Sequence, residues 1–261
     1  MQKCIKILSQ LFIAITCFGI VIWGNFTSKP AFAEPNLATV KIVSRAQWRA
    51  HTPKRKGLRN QYKKQQKIRY ISIHHTVSRP THPRWKETDL LRFIQNYHQR
   101  TGFRDIAYHY LVGHSGKVYK GRNDDIAPAS FTYYFSSKEL IGARWSHGKV
   151  QPKSRPKKAP GNTDGHITVA FLTGRAANGK PRDMLLPKKS MRIAARLIAE
   201  LLIKYDLTPQ DVRAHREIAL TKCPGSEIYR WLRGSAYKPN SEGEGMRAIK
   251  REYQKLKHAN M

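Results

Sequence analysis

Apolar and polar positions along the chain change period several times, and each change marks an element. Ile68–Thr76 is β-rich and apolar, which predicts a strand with Tyr70, Ser72, His74 and Thr76 on one face and Ile71, Ile73 and His75 on the other. Thr88–Arg100 carries Leu90, Leu91, Phe93, Ile94 and Tyr97 at helical spacing. Ala107–Val112 and Val118–Tyr119 flank the turn residues His114-Ser-Gly-Lys117 and read as a hairpin. Ile167–Thr173 is a continuous apolar run, as in a strand covered on both faces. Pro187–Tyr205 predicts a helix that buries Met191, Ala194, Ala195, Leu197, Ile198, Leu201 and Leu202. Thr208-Pro-Gln-Asp211 has the form of a helix cap with proline in the first position. A further helix starts near Pro224–Ser226, and Met246–His258 reads as a charged helix. This order predicts an α/β fold, a single domain with a central mixed β-sheet flanked by helices.

The ends are set apart from this pattern. Residues 1–33 read as a signal peptide, with Lys3 and Lys6 before the largely apolar Ile7–Trp23 and Ala31-Phe32-Ala33 as the cleavage signal. An uncleaved anchor is the competing reading, because Ile7–Trp23 approaches the length of a span. The domain is then 34–235, with a basic Pro/Lys-rich insertion near 144–164 and a basic C-terminal tail over 236–261. The expected product is secreted or periplasmic, monomeric, and without a membrane span after cleavage.

Composition narrows the class. Forty per cent of residues are apolar, enough for a core, so a wholly disordered polybasic chain is excluded. Lys and Arg number 49 against 17 Asp and Glu, a formal charge of +32. Removing Lys3, Lys6 and Lys29 with the leader lowers it to +29. The positive charge comes in runs, with nine Lys or Arg and no acid from Arg49 to Arg69, and six more from Arg144 to Lys158. Of the three cysteines, Cys4 and Cys17 fall in the leader and only Cys223 remains. A lone cysteine in an oxidising compartment asks for a reason, either burial or a metal.

His74, His215 and Cys223 form a candidate zinc set. His74 closes an apolar strand, and the eight residues from His215 to Cys223 suit a loop that turns back before Pro224. Three N/S ligands with a fourth position open to water is the catalytic form of zinc. Spacing alone does not separate such a site from surface or packed histidines.

Several ordered motifs then identify a resemblance. They are Val43-Ser-Arg-Ala-Gln-Trp48, Ile71-Ser-Ile-His-His-Thr76, Gly102-Phe-Arg-Asp-Ile-Ala-Tyr-His-Tyr-Leu-Val-Gly113, Gly116-Lys-Val-Tyr-Lys-Gly-Arg122, Arg213-Ala-His-Arg-Glu217 and Thr221-Lys-Cys-Pro-Gly225. Over roughly 42–232 the chain resembles the peptidoglycan recognition protein and type 2 amidase family, which includes the small phage amidase-type lysozymes. The resemblance implies an α/β fold and a zinc-dependent N-acetylmuramoyl-L-alanine amidase. It makes His74, His215 and Cys223 the metal ligands of a Zn2+ cofactor. It makes Tyr108 the residue at the scissile carbonyl and Thr221 a further active-site residue. Non-catalytic members lack the cysteine, which this chain keeps. The chain departs from the family at Gly142-Ala-Arg-Trp145 and Gly165-His-Ile-Thr168, near places that border the substrate groove.

Other polar residues receive plainer expectations. Glu217 is read as a structural partner of the ligand segment, His75 and His109 as packed histidines, and Arg122 as a turn anchor. His114, His147 and His166 are read as loop residues, the last two with a place in the groove open to them. Trp48 and Arg45 are read as packing. The charge points to anionic polymers, with peptidoglycan as leading partner and lipopolysaccharide or teichoic acid beside it. Nucleic acid is not expected, because the leader directs the chain away from it and no nucleic-acid motif is present. Two alternatives stay open: a peptidoglycan-binding module that does not cut, and an amidase for soluble anhydromuropeptides.

Overall fold

The computed structural model describes residues 39–56, 62–65, 67–76, 86–129, 144–146, 149–151, 165–173, 186–219, 221–235, 238 and 241–259. The expected leader, His147 and most of the basic insertion lie outside them. In chain order the elements are β1 (Ile42–Val43), β2 (Tyr70–His75), α1 (Glu87–Arg100), β3 (Tyr110–Val112), β4 (Val118–Lys120), β5 (Arg144–Ser146), β6 (Lys149–Gln151), β7 (His166–Phe171) and α2 (Lys188–Lys204). A 310 turn (Pro209–Asp211), β8 (Val212–Ala214), α3 (His215–Ile218), α4 (Ser226–Arg233) and α5 (Glu244–Ala259) complete them.

Among the described residues, six strands form one mixed sheet in the order β1-β4-β3-β7-β2-β8. Its pairs are parallel except for the β3–β4 hairpin. β7 lies inside the sheet between β3 and β2, and it pairs with β2 so that Ile71 is opposite Ile167 and His74 opposite Ala170. That position explains the unbroken apolar run of β7, whose six residues are all buried. β5 and β6 make a separate two-stranded ladder, and β6 packs against α3.

The strand period assigns each face its own cover. Ile71, Ile73, Ile167, Val169, Phe171 and Val212 pack with Ala194, Ile198 and Leu202 of α2 and with Met246 and Ile249 of α5. On the opposite face Leu111 and Ala170 meet Leu90, Leu91 and Ile94 of α1 together with Trp48. Each such large side chain contributes about 1.5–3 kcal/mol by leaving water. The expected C-terminal helix is present as α5, and it packs into the main core through Met246 and Ile249.

Three differences from expectation have physical reasons. The hairpin strands are shorter than the apolar run, because Tyr108 and His109 pair with the Gly121–Arg122 backbone just outside the ladder. The capped segment after Thr208 is a single 310 turn that runs straight into β8. His166 is no loop residue: Gly165 turns at φ +80° and the strand begins at once, leaving His166 only 6% exposed.

The segment before β3 is fixed from beneath by Arg122, which is fully buried. Its guanidinium donates to the carbonyls of Ile106 (2.9 Å), Ala127 (2.7 Å) and Phe103 (3.0 Å), the turn-anchoring role expected of it. Burial lowers its pKa to about 10, which still leaves it charged at neutral pH. Gly121 passes so close that a Cβ there would lie 2.2 Å from the Tyr108 carbonyl oxygen. Trp48 packs as expected and donates its indole N–H to the Lys120 carbonyl at 2.7 Å. Arg45 reaches the Gly121 carbonyl (2.6 Å) and the Asp105 carboxylate (3.2 Å).

Asp124 joins the hairpin to the end of α2. Its carboxylate accepts from the Tyr110 hydroxyl (2.9 Å), the Tyr205 hydroxyl (2.6 Å) and Lys204 Nζ (2.8 Å), and it is paired with Lys120. Burial alone would raise its pKa, but the Lys120 ammonium and these donors outweigh that and hold it well below the usual carboxylate range. A depressed folded pKa gives stability that is present above the unfolded value, near 4, and lost as pH falls further. Asp124→Asn is therefore expected to cost about 1–3 kcal/mol at pH 7. Urea unfolding at falling pH should show that difference shrinking below about pH 4; a difference that stays constant would mean the ion pairs are not its source.

Candidate metal centre

The centre is assembled at the carboxyl ends of two neighbouring parallel strands. β2 ends in His74 and His75, and β8, paired to it through Ile71–Val212 and Ile73–Ala214, ends one residue before His215. The chain then doubles back. Arg216 N–H donates to the Cys223 carbonyl (2.9 Å), and Cys223 N–H donates to Thr221 Oγ1 (3.1 Å). A cis Cys223–Pro224 peptide leads from there into α4.

This fold-back brings the three candidates together. The donor atoms of His74, His215 and Cys223 all lie within 4.8 Å of one another. Cys223 Sγ is 3.8 Å from His74 Nδ1, and the two imidazole rings are 4.3 Å apart. His74 Nε2 lies 3.2 Å from Ser72 Oγ on the same strand face, as period 2 requires. The backbone N–H of His75 donates to Cys223 Sγ at 3.3 Å, so the second histidine of the pair contributes through its main chain.

Protonation favours a metal. Burial, with His215 alongside, pushes the His74 pKa well below the usual histidine value. Burial lowers His215 to about 3. Both rings are thus neutral at physiological pH, with a lone pair to offer. Burial also pushes the Cys223 thiol up to about 12, only partly countered by the His75 N–H. A thiolate there needs a cation to offset that burial. Two neutral imidazoles and one sulfur form a donor set that fits a divalent metal of intermediate softness.

The other expected site residues surround this cluster. Tyr108 is half-buried, its ring 5.6 Å from the His74 ring and its hydroxyl donating to the His75 carbonyl at 3.4 Å. Thr221 is half-buried and stands against the metal loop through its bond to Cys223. Glu217 fits the structural reading, since its carboxylate accepts from Ala214 N–H (2.9 Å) and pairs with Arg233 (2.7 and 2.8 Å). His109 is buried between Thr168 Oγ1 (2.8 Å) and the Ile126 carbonyl (2.9 Å), as a packed histidine.

Sequence pattern carries no expectation for His98, and for His166 it leaves a place in the groove open. His98 of α1 accepts from Ala107 N–H (3.1 Å) and sets its ring edge-on to Tyr108 at 5.7 Å. Its spacing from Leu91 and Ile94, the inward face of α1, is the signal that could have found it. His166 stacks 5.0 Å from Tyr70, and its Nδ1 has no hydrogen-bond partner among the described residues.

Comparison with known proteins places the chain in a family. The N-acetylmuramoyl-L-alanine amidase family profile matches residues 64–226, more than half of the chain. One peptidoglycan-recognition protein of Drosophila melanogaster is 28% identical over 169 residues, 63% of this chain and 74% of that protein. Another from the same species, peptidoglycan-recognition protein SC1a, is 26% identical over 198 residues, 75% and 85% of the two chains. The bumblebee PGRP-SA structure shares the fold, with a TM-score of 0.50 at 22% identity over 74% of this chain and 96% of its own. With the family's profile spanning β2 to the start of α4, this chain belongs to the N-acetylmuramoyl-L-alanine amidase family.

Proposed function

We propose that this protein is a secreted or periplasmic zinc-dependent amidase that cuts peptidoglycan between the lactyl carbonyl of N-acetylmuramic acid and the amine of L-Ala. The observation that carries the reading is the convergence of His74, His215 and Cys223 beside Tyr108. The relatives are named for peptidoglycan recognition, which agrees with the substrate.

His74, His215 and Cys223 would hold the ion, and a set of three donors would leave a fourth ligand position for water. Zinc in such a setting acts as a Lewis acid and lowers the pKa of a coordinated water to about 7. Two neutral imidazoles and one thiolate keep the set at net +1, which preserves that effect. The remaining work falls to the chain. Tyr108 stands beside His74 with a hydroxyl whose bond to the His75 carbonyl is long, so it can turn to the substrate carbonyl oxygen as negative charge builds there. Thr221 fixes Cys223 through its oxygen and keeps its hydroxyl hydrogen for a water or the carbonyl. His98 packs edge-on against the Tyr108 ring and helps to hold it. Water adds to the carbonyl carbon, the C–N bond breaks, and the departing amine of L-Ala takes up a proton.

Incubation of the protein with purified peptidoglycan should release stem peptides that begin with a free L-Ala amine. Chelation should abolish the release and added zinc restore it, as read by mass spectrometry on intact sacculi and on soluble fragments in parallel. Retention on the wall with no such peptides from either substrate would overturn the enzyme reading in favour of a binding module. Tyr108→Phe is expected to lower kcat about 10²–10³-fold with zinc content unchanged, whereas Cys223→Ser should lose the metal itself. Elemental analysis beside the rate separates the two, and a Tyr108→Phe enzyme of normal kcat would remove the oxyanion role.

A further inference from the structure

We infer that the protein carries a second binding surface, a cationic patch on the α2–α5 side of the sheet that docks a linear phosphodiester polymer of the cell wall. The inference rests on the proposed function only for where that partner lies.

Three elements build the patch. Ser190 Oγ donates to the His114 carbonyl at 2.9 Å, so the β3–β4 turn sits on the first turn of α2. A Cβ at Gly116 would lie 3.6 Å from the Lys189 side chain, which puts Lys117 and Lys189 on one surface. Arg196 Nη1 pairs with Glu252 at 3.0 Å, while Met246 and Lys250 line a hollow with Pro209 and Gln210 just beyond α2. The two helices are therefore antiparallel, and the last turns of α5 lie beside the first turns of α2. Lys117, Lys188, Lys189, Arg192 and Lys257 are all exposed there, and none has an acidic partner among the described residues.

The nearest acids do not answer this charge. Glu87 is taken by Ser115 and the Tyr119 hydroxyl, and Glu252 by Arg196 and Lys255. The charges of the α2 lysines also oppose their own helix. Lys188 and Lys189 stand at the positive end of the α2 dipole, which weakens the helix they belong to. A row of unpaired cations from three elements, costly to its own helix, complements a chain of regularly spaced anions. The patch lies across the sheet from His74, so the two surfaces can be occupied together.

Retention of the full protein on immobilised poly(glycerol phosphate) tests this. At about 0.15 M salt the variant Lys188→Ala/Lys189→Ala/Arg192→Ala/Lys257→Ala should bind at least about tenfold more weakly, and its log affinity should fall with log salt at a slope near −1 instead of about −3.5. A control with the same loss of charge, Lys41→Ala/Lys54→Ala/Arg55→Ala/Lys56→Ala, should bind like the parent. Equal weakening in both variants would overturn the patch in favour of diffuse attraction. Tighter binding of the parent to phosphatidylglycerol vesicles than to the polymer would overturn the polymer in favour of a membrane. Hydrolysis of a soluble muropeptide, measured on the same samples, should be unchanged in the patch variant. Loss of polymer binding in the patch variant with hydrolysis intact supports the patch alone, unweakened binding in that variant overturns it, and absence of hydrolysis in the parent fails the amidase reading alone.

Discussion

The candidate metal centre depends on one buried ion pair, Glu217 with Arg233. Both side chains are at most 5% exposed, so each charge has lost its water at a cost of several kcal/mol. Two short bonds between carboxylate and guanidinium repay part of that cost. Glu217 also caps Ala214 N–H at the start of α3, and Arg233 also donates to the Val212 carbonyl in β8. One pair thereby ties the strand that delivers His215 to the helix that follows Cys223. An apolar pair of equal volume could fill the space, but it could not bond to either backbone group. Specification of the turn, more than stability, is what this pair contributes. Arg216 fastens the other side of the loop, through the Lys222 carbonyl and the face of the Tyr229 ring.

Given that fixed turn, the sheet supplies the rest. Parallel strands end together, and the crevice outside their carboxyl ends is where α/β folds place ligands. His74 and His215 come from adjacent strand ends and need no long-range adjustment to meet. Their burial has a chemical consequence, because the low dielectric that would penalise imidazolium leaves imidazole as the resident form. The same burial disfavours a bare thiolate at Cys223, so a thiolate there would need a cation beside it.

Much of this was legible in local pattern. Period 2 separated His74 from His75, and the structure shows the first with its ring in the cluster and the second with its backbone N–H on the sulfur. The apolar runs marked β2, β7, α1 and α2 to within about two residues, as expected where burial follows a regular repeat. What stayed hidden was pairing at a distance. Glu217 and Arg233 are 16 residues apart, and nothing in their spacing announces a shared bond. His98 shows its place only once Tyr108 is found beside it. His166 followed a glycine and so resembled a loop, yet a polar residue is tolerated at a buried strand end on the face that carries the site. The motifs identified the family; the positions of the partners came from the fold.

The placement of charge follows from the same geometry. Acids are scarce in this chain, and those described are largely engaged internally. Asp105 holds Arg45, Asp124 holds the hairpin to α2, Glu217 holds the metal loop, and Glu200 and Glu252 hold Arg196 between α2 and α5. Each acid fixes a junction and neutralises cations near the core, which removes negative charge from the outer surface. The excess of Lys and Arg is left facing solvent, on stems that can cover apolar surface while the heads stay hydrated. High net charge of this kind need not weigh heavily on folding, because the uncompensated charges are the exposed ones, where water and salt screen their repulsion. Several of the scarce carboxylates thus serve structure, and among the described residues exposed Lys and Arg outnumber the exposed acids Asp125, Asp206, Glu242 and Glu244. Attraction to anionic polymers is then a property of how the core is fastened, as well as of composition.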